Sequence, residues 1–363
     1  MTRAPFSRLT DGWGEMMRVL RSQLCLAIAV AALPLSLLAQ STLPTQPAPL
    51  KKPGPSTIDA LEHRVPELMK NANIPGVSIA LIRDGKIYWL HEFGVRNTKS
   101  NAPVASDTIF EAASLSKPVF AYGVLKLVDQ GKLDLDTPLS KYLPQPYIEG
   151  DPGIDKITAR FVLSHRTGFR NWRGDGNPLQ IYFTPGERFS YSGEGFVYLQ
   201  KVVEHITGRS LNDYMSEAVF TPLGMTSSSY VWRGGYDSST ATGHDVDQQP
   251  RDKSKPKEPN AAASLQTTAR DYATFLDALL NGKGLKPATL HEMEKPQIAV
   301  DPECTNCTDR APNELSKSVF WGLGIGIQET SQGASAIPSS TPNRKSVSSI
   351  SQTVKTVWPL PGT

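Results

Sequence analysis

Two runs rich in β-branched and aromatic residues flank Asp84 and Gly85 in the segment GVSIALIRDGKIYWLHEFGVRN. An Asp-Gly pair between two such runs is a strong signal for a β-hairpin. A further β-type segment, SVFWGLGIGIQE, comes only near residue 320, and its glycines predict a strand that another backbone approaches closely. The segments between have helical patterns. This order predicts an α/β domain whose sheet joins early and late segments, with a helical region inserted between them.

Five segments have the apolar spacing of amphipathic helices. Two of them end at glycines suited to helix C-termini, Gly131 and Gly208, and one begins at Thr267 or Thr268, either of which could cap it. Pro66 falls inside the first segment, where a proline weakens a helix. The segments are STIDALEHRVPELMKNANIPG, VFAYGVLKLVDQG, YSGEGFVYLQKVVEHITG, SLNDYMSEAVFTPLGM and TTARDYATFLDALLNGKG.

Composition and charge are those of an ordinary globular chain of 363 residues, with 39% hydrophobic and 20% charged residues. The formal net charge of +3 shrinks to about +1 without residues 1–39, because that segment holds four arginines against one aspartate and one glutamate. The remaining sequence has no basic stripe, so we expect no nucleic-acid partner.

The N-terminal segment 1–39 predicts a cleaved signal peptide. Arg18 and Arg21 precede the apolar run LCLAIAVAALPLSLLA, which ends before polar residues. An uncleaved membrane anchor is the alternative, but the run is shorter than the ~20 residues of a spanning helix and Pro34 interrupts it. Residues 40–55 are proline-rich and predict a flexible tether. We therefore expect an exported protein, periplasmic or secreted, with no stable membrane span after cleavage.

Cys304 and Cys307 form a C-x-x-C pair in DPECTNCTDR. A structural zinc site needs four ligands, and no histidine follows His291, so a zinc site is disfavoured. In an oxidising compartment the pair predicts a local disulfide that pins a surface loop.

The pattern S-x-x-K occurs twice, at Ser114–Lys117 and at Ser254–Lys257. The second lies in hydrophilic QQPRDKSKPKEPN, where Pro256 breaks a helix and nothing apolar can desolvate a lysine, so we interpret it as chance. The first has apolar flanks at the start of a predicted helix. There, residues three apart share a face, free N–H groups can bind an oxyanion, and burial lowers the lysine pKa toward that of a general base. Composition alone leaves an ordinary helix start as an equal alternative.

Two further residues are candidates for catalysis. Tyr191, in RFSYSGEGF, precedes a helix, and a phenol facing Ser114 and Lys117 could relay a proton; a half-buried tyrosine with a satisfied hydroxyl is the alternative. His165, in LSHRTGF, could be a triad base, but its place before a glycine turn favours a structural role. The sequence contains neither G-x-S-x-G nor H-E-x-x-H, which argues against an α/β-hydrolase and a zinc protease.

Together these segments resemble the serine β-lactamase-like family, which includes class C β-lactamases, D-alanyl-D-alanine carboxypeptidases and family VIII esterases. The resemblance runs in unbroken order from about residue 58 to residue 329. It is carried by PGVSIALIRDGKIYW, FEAASLSKPVFAYGVLKLVDQGKLDLDTPLSKYLP, ITARFVLSHRTGF, TPGERFSYSGEGFVYLQKVVEHITG, VFTPLGM, SLQTTARDYATFLDALLNG and WGLGIGI.

The resemblance implies an α/β (α+β) fold of the β-lactamase/transpeptidase type at residues 56–330, with an antiparallel sheet flanked by helices. It also implies that a small-molecule or peptidoglycan-like ester, amide or lactam acylates Ser114. Lys117 and Tyr191 would share the general-base and general-acid work, and backbone N–H groups, one from Ser114, would hold the oxyanion. Water then releases the acyl group, and neither a metal nor an organic cofactor is required.

Two departures from the family pattern bear on this expectation. The usual Tyr-x-Asn is Tyr191-Ser192-Gly193 here, and glycine cannot hold a substrate amide as the Asn side chain does, which favours an esterase-like or undefined hydrolase. The family's Lys-Thr-Gly or His-x-Gly motif is missing after WGLGIGI, and residues 331–363 predict an irregular tail. We expect a disrupted reading frame near residue 330, with the loss of a sheet strand, a site wall and the closing helix. The alternative to an exported serine hydrolase is thus a family member that is catalytically impaired or only binds peptidoglycan-like or acyl ligands.

Overall fold

The structure, a computed structural model, describes residues 55–328 apart from 175, 302 and 313, together with the backbone of residues 346–353. The predicted signal peptide at 1–39 and all but the last residue of the predicted tether at 40–55 lie outside the described residues.

The predicted hairpin is present in the structure. Strand β1 (Gly76–Arg83) pairs antiparallel with strand β2 (Lys86–Asn97), and β2 pairs in turn with the short strand β3 (Ala102–Pro103). Asp84 and Gly85 both have positive φ, 50° and 66°, as a two-residue type I′ turn requires.

The helical segments follow the predicted order. Gly208 closes one helix in the left-handed conformation with φ 64°, and the Thr268 hydroxyl caps another by accepting the N–H of Asp271. Pro66 lies inside a continuous helix. The helices of the described residues are α1 (Pro55–Asn71), α2 (Ser116–Asp129), α3 (Ala159–Leu163), α4 (Gly193–Thr207), α5 (Leu211–Met215), α6 (Thr221–Leu223), α7 (Ala269–Leu280) and α8 (Pro287–Glu294). Single 3₁₀ turns lie at Ala113–Leu115, Leu139–Tyr142, Pro152–Lys156 and Gly234–Asp237, and a π turn lies at Ser216–Phe220.

Helices cover both faces of β1. Successive side chains of a strand point to opposite sides, so each face of β1 packs against a different helix. On one face Val77 and Ile79 pack in a cluster with α1. On the other face Ala80 and Ile82 pack against Ala273 of α7. Because both faces of β1 are buried, its sequence is a nearly continuous apolar run.

The main core forms around α2, which the apolar pattern predicts to be a buried helix. Its side chains Val119, Phe120 and Leu125 are fully buried and belong to one cluster with Phe196 and Leu199 of α4. The beginning of α2 is therefore held rigidly, and the S-x-x-K serine lies directly before it.

The segment SVFWGLGIGIQE forms two strands instead of the single predicted one. Strand β7 (Val319–Trp321) pairs with β8 (Gly326–Gln328), and β7 also pairs with β6 (Ile298–Ala299). The chain turns at Gly324, whose φ of 81° is left-handed, and a Cβ there would overlap Ala121 of α2. The predicted close approach of another backbone is correct at Gly322, where a Cβ would overlap the Met293 carbonyl oxygen. The turn at Gly324 splits the predicted strand in two. Strand β4 (Phe110–Glu111), which comes just before the S-x-x-K turn, pairs antiparallel with β5 (Gln266–Thr267).

The prediction of an irregular tail at 331–363 is wrong for part of that segment. Residues Ser346–Thr353 form strand β9, which pairs antiparallel with β1 and completes a sheet of order β3-β2-β1-β9. Backbone pairing requires no particular side-chain pattern, so the serine-rich segment SVSSISQT can pair with β1 without a regular apolar alternation. Residues 329–345 and 354–363 lie outside the described residues.

Candidate active site

Ser114 lies in the 3₁₀ turn Ala113–Leu115, directly before α2, and its side chain is partly exposed. The residue before it, Ala113, has a φ of 44°. A left-handed conformation at a non-glycine residue costs on the order of 1–3 kcal/mol and persists only when the surroundings enforce it. The backbone that carries Ser114 is thus held in a conformation that it would not adopt by itself.

Buried hydrogen bonds enforce this turn. The Ser116 hydroxyl donates to the Ala113 carbonyl and accepts the N–H of Leu265 at 3.0 Å. The Tyr230 hydroxyl, fully buried, donates to the Ser116 carbonyl at 2.7 Å. These bonds join the turn to segments more than a hundred residues away.

Lys117 is a buried lysine aimed at Ser114. Its Nζ atom lies 3.1 Å from Ser114 Oγ and 2.8 Å from the carbonyl oxygen of Ala262. The side chain is 1% exposed, and this burial lowers the pKa of Lys117 to about 7. The neutral amine, which can accept a proton, is therefore well populated near neutral pH.

The loop that carries the Ala262 carbonyl is itself held in place. The Gln200 side chain of α4 accepts the N–H of Ala261 at 2.8 Å and donates to the Pro259 carbonyl at 2.9 Å. Gln200 is 3% exposed. It fixes the acceptor that orients the Lys117 amine.

Tyr191 lies in extended chain just before α4, with its hydroxyl near the Ser114 side chain. Lys117 Nζ lies 4.7 Å from the centre of its ring. Burial raises the pKa of Tyr191 to about 12, even though the nearby Ser114 hydroxyl acts in the opposite direction. The structure therefore brings together the three residues that the motifs indicate.

His165 lies behind Tyr191 and does not reach Ser114 through any described hydrogen bond. It is fully buried, its ring stacks on Tyr191 at 4.2 Å between centroids, and its Nδ1 accepts the N–H of Ser192 at 3.0 Å. Burial lowers the pKa of His165 well below its ordinary value, and the nearby Lys117 adds to this. These contacts fit the structural role favoured by the sequence and not that of a triad base.

The disulfide between Cys304 and Cys307 is present, as predicted. The disulfide does not only constrain a surface loop. Thr305, which lies between the two cysteines, is 3% exposed, and the Thr305 carbonyl accepts the N–H of Tyr191 at 2.7 Å. The disulfide loop thus supports the backbone of a site residue.

The second S-x-x-K match is not part of any such arrangement. Ser254 and Lys257 are both exposed in irregular chain. Within the described residues, no group of three or more His, Cys, Asp or Glu side chains could hold a metal ion.

Sequence patterns did not identify the residues that hold the site together. These are Ser116, Tyr230, Gln200 and the carbonyls of Ala262 and Thr305. Each acts through a contact that joins distant segments, so local pattern contains no signal for it. Fixed spacing, in contrast, revealed Ser114 and Lys117, which share one helical turn.

Comparison with known proteins agrees with this geometry. The family model described as Beta-lactamase matches residues 61–333 of the chain. Penicillin-binding protein 4* of Bacillus subtilis is 29% identical over 164 residues, which are 39% of this chain and 35% of that protein. The match thus spans about a third of that relative's length.

Two solved structures have the same fold. The octameric penicillin-binding protein homologue from Pyrococcus abyssi is 26% identical with a TM-score of 0.62, covering 77% of this chain and 66% of that one. The D-alanine carboxypeptidase AmpC from Burkholderia cenocepacia is 21% identical with a TM-score of 0.62, covering 76% and 75%. With a family model that matches most of its length, the chain belongs to the beta-lactamase family.

Proposed function

We propose that the chain is an exported serine hydrolase that acts through an acyl-enzyme on ester, amide or β-lactam carbonyls. The observation that carries this proposal is the 3.1 Å contact between Lys117 Nζ and Ser114 Oγ, made by an amine whose pKa burial lowers to about 7. A neutral amine at hydrogen-bonding distance from a hydroxyl is a base placed on a nucleophile.

Acylation begins when the neutral Lys117 amine takes the proton of the Ser114 hydroxyl. The Ser114 oxygen forms a bond to the substrate carbonyl carbon, and the carbonyl oxygen becomes an oxyanion held by backbone N–H groups, one from Ser114. The positive charge on Lys117 stays next to the Ala262 carbonyl, 2.8 Å away, which stabilises it.

Tyr191 completes the step by protonating the leaving group. With a pKa of about 12, it keeps its proton at neutral pH and acts as a donor, whereas Lys117 is the base. The leaving atom takes the phenol proton as its bond to carbon breaks, and the Lys117 ammonium returns a proton to Tyr191. A water molecule then attacks the ester on Ser114, and the same groups run in reverse.

Esters are the substrates that we favour. The relatives are named penicillin-binding proteins and a D-alanine carboxypeptidase, which supports acyl transfer from β-lactams and peptides as a class. At Gly193, however, this chain has no side chain to bind a substrate amide, so amides lose a partner that esters do not need.

A binding protein without turnover is the second candidate. It is favoured by the sequence after Trp321, which contains neither Lys-Thr-Gly nor His-x-Gly. Such a chain would bind the same acyl ligands at Ser114 without releasing a product.

Export is supported by the positive and apolar pattern of residues 1–39. Of the helices in the described part of the chain, none has the length and apolar character to cross a membrane.

Steady-state hydrolysis of p-nitrophenyl acetate by the folded chain tests the proposal. We expect turnover that Ser114→Ala abolishes and that Ser254→Ala, the matched change in the second S-x-x-K, leaves intact. Equal rates for the native protein and Ser114→Ala would overturn the assignment, and an absence of turnover in all three proteins would favour the binding function.

A further inference from the structure

The side chain missing at Gly193 is replaced in space by the ring of Trp172. A Cβ built on Gly193 would lie 2.5 Å and 2.6 Å from two carbons of the Trp172 indole. Real Cβ atoms do not approach other atoms so closely, so no larger residue fits at 193 while the indole is there. Gly193 and Trp172 form one steric unit.

Trp172 is held in this place from both sides. The N–H of Gly193 donates to the Asn171 carbonyl at 3.0 Å and to Asn171 Oδ1 at 2.9 Å. On the other side Arg173 makes a two-pronged ion pair with Glu194, at 2.9 Å and 2.7 Å, and Glu194 is 5% exposed. The loop around Trp172 is thus bound to the start of α4, and the position of the ring is pre-organised.

The ring faces the same side of the chain as the catalytic tyrosine. Ser192 is extended, with φ −139° and ψ 117°, and in extended chain the side chains of residues two apart point the same way. The place of a side chain at 193 therefore lies on the side of the Tyr191 phenol, which is near Ser114. Trp172 remains 45% exposed, so one part of the indole is open to a ligand.

We infer that Trp172 selects the acyl group of the substrate, favouring flat or apolar groups over amide-bearing ones; this inference rests on the proposed function. An indole offers a wide apolar surface, whereas an amide brought against it loses its hydrogen bonds to water without gaining new ones. A polar side chain at position 193 would favour acyl groups that bear an amide, whereas the indole of Trp172 favours flat or apolar acyl groups.

Esters with one leaving group and different acyl groups test this inference. We expect p-nitrophenyl phenylacetate to be preferred over p-nitrophenyl acetate, and Trp172→Ala to lower the ratio of their kcat/KM values by roughly two- to twelvefold, the range of one aromatic contact. Tyr88→Ala is the control, because Tyr88 has similar exposure, 46%, but lies on β2. It should leave the ratio unchanged. A Trp172→Ala protein with the native ratio would overturn the inference.

The steric unit gives a second test. Gly193→Asn alone should impair hydrolysis of p-nitrophenyl N-acetylglycinate, because the new side chain collides with the indole. Adding Trp172→Ala should rescue that activity and raise the preference for this amide-bearing ester over the phenylacetate. Losses that simply add in the double variant would contradict a shared space.

Binding to Ser114→Ala separates this inference from the proposed function, since that variant cannot be acylated. In saturation-transfer NMR, methyl phenylacetate should receive more magnetisation from Ser114→Ala than from Ser114→Ala/Trp172→Ala, and methyl acetate should not distinguish the two. This result would support the role of Trp172 even if the native chain hydrolysed no ester. Equal transfer to methyl phenylacetate from both variants would refute it.

Discussion

The N–H of Tyr191 donates a 2.7 Å hydrogen bond to the carbonyl of Thr305, which lies between the disulfide-bonded Cys304 and Cys307. The disulfide loop therefore supports Tyr191, the residue that we propose as the proton donor, although nothing in the sequence of the loop indicates this contact. The bridge spans only three residues of sequence, so by loop closure it contributes no more than about 2 kcal/mol to stability. Its effect on the site should be larger than its effect on the fold.

We predict that Cys304→Ser/Cys307→Ser lowers kcat for p-nitrophenyl acetate several-fold while the protein stays folded. Loss of the bridge frees the Thr305 carbonyl and lets Tyr191 shift from Ser114. Dithiothreitol should have the same effect on the native chain and none on the double variant. Unchanged kcat in the folded double variant would show that the loop does not position Tyr191.

The pH dependence of acylation should follow Lys117. Because burial lowers its pKa to about 7, kcat/KM should rise with pH through a limb centred near 7 as the amine loses its proton. His165→Phe should keep this limb. That variant removes the acceptor of the buried Ser192 N–H, so we expect it to lose about 1–3 kcal/mol of stability. Disappearance of the limb in folded His165→Phe would instead identify His165 as the base.

Lys117 should also make stability depend on pH. Between about pH 7 and the unfolded lysine pKa of about 10.4, the unfolded chain holds a proton that the folded chain lacks, so stability rises with pH across this window. Relative to Lys117→Met, the native protein should gain on the order of 3 kcal/mol between pH 7 and pH 9.5. Urea denaturation at the two pH values measures this gain. The exposed Lys132→Met is the control and should show a constant difference. A constant difference for Lys117→Met as well would mean that Lys117 is charged in the folded protein.

Tyr191→Phe removes the hydroxyl near Ser114 but keeps the ring that stacks on His165. We expect kcat/KM to fall by roughly 100-fold for esters of alkyl alcohols, whose leaving group needs a proton. The loss should be smaller for p-nitrophenyl esters, because p-nitrophenolate leaves without protonation. Rates measured over a series of leaving groups check this. Equal losses across the series would exclude Tyr191 as the proton donor.

Sequence was sufficient where the determinant is local. Asp84 and Gly85 specify a turn through their own backbone preferences, Gly208 ends α4 for the same reason, and the three-residue spacing of Ser114 and Lys117 places both on one helical turn. These features could be predicted because neighbours in the chain decide them.

The remaining features depend on segments that meet only in the folded chain. Strand β9 forms by backbone pairing with β1. The sequence of this serine-rich segment contains no pattern that predicts the pairing. The packing of Trp172 against Gly193 joins a loop to the start of α4 about twenty residues away, and the support of Tyr191 by Thr305 joins residues more than a hundred apart. No period or motif within one segment contains such a contact.

Whether Ser114 is a nucleophile can be measured by intact mass after exposure to a fluorophosphonate or penicillin probe, with Ser114→Ala as the control. We expect a single adduct on the native chain, mapped to Ser114 by peptide analysis, and none on Ser114→Ala. A native protein that is folded and yet forms no adduct with either probe would contradict it, because the Ser114 hydroxyl would then not be a nucleophile.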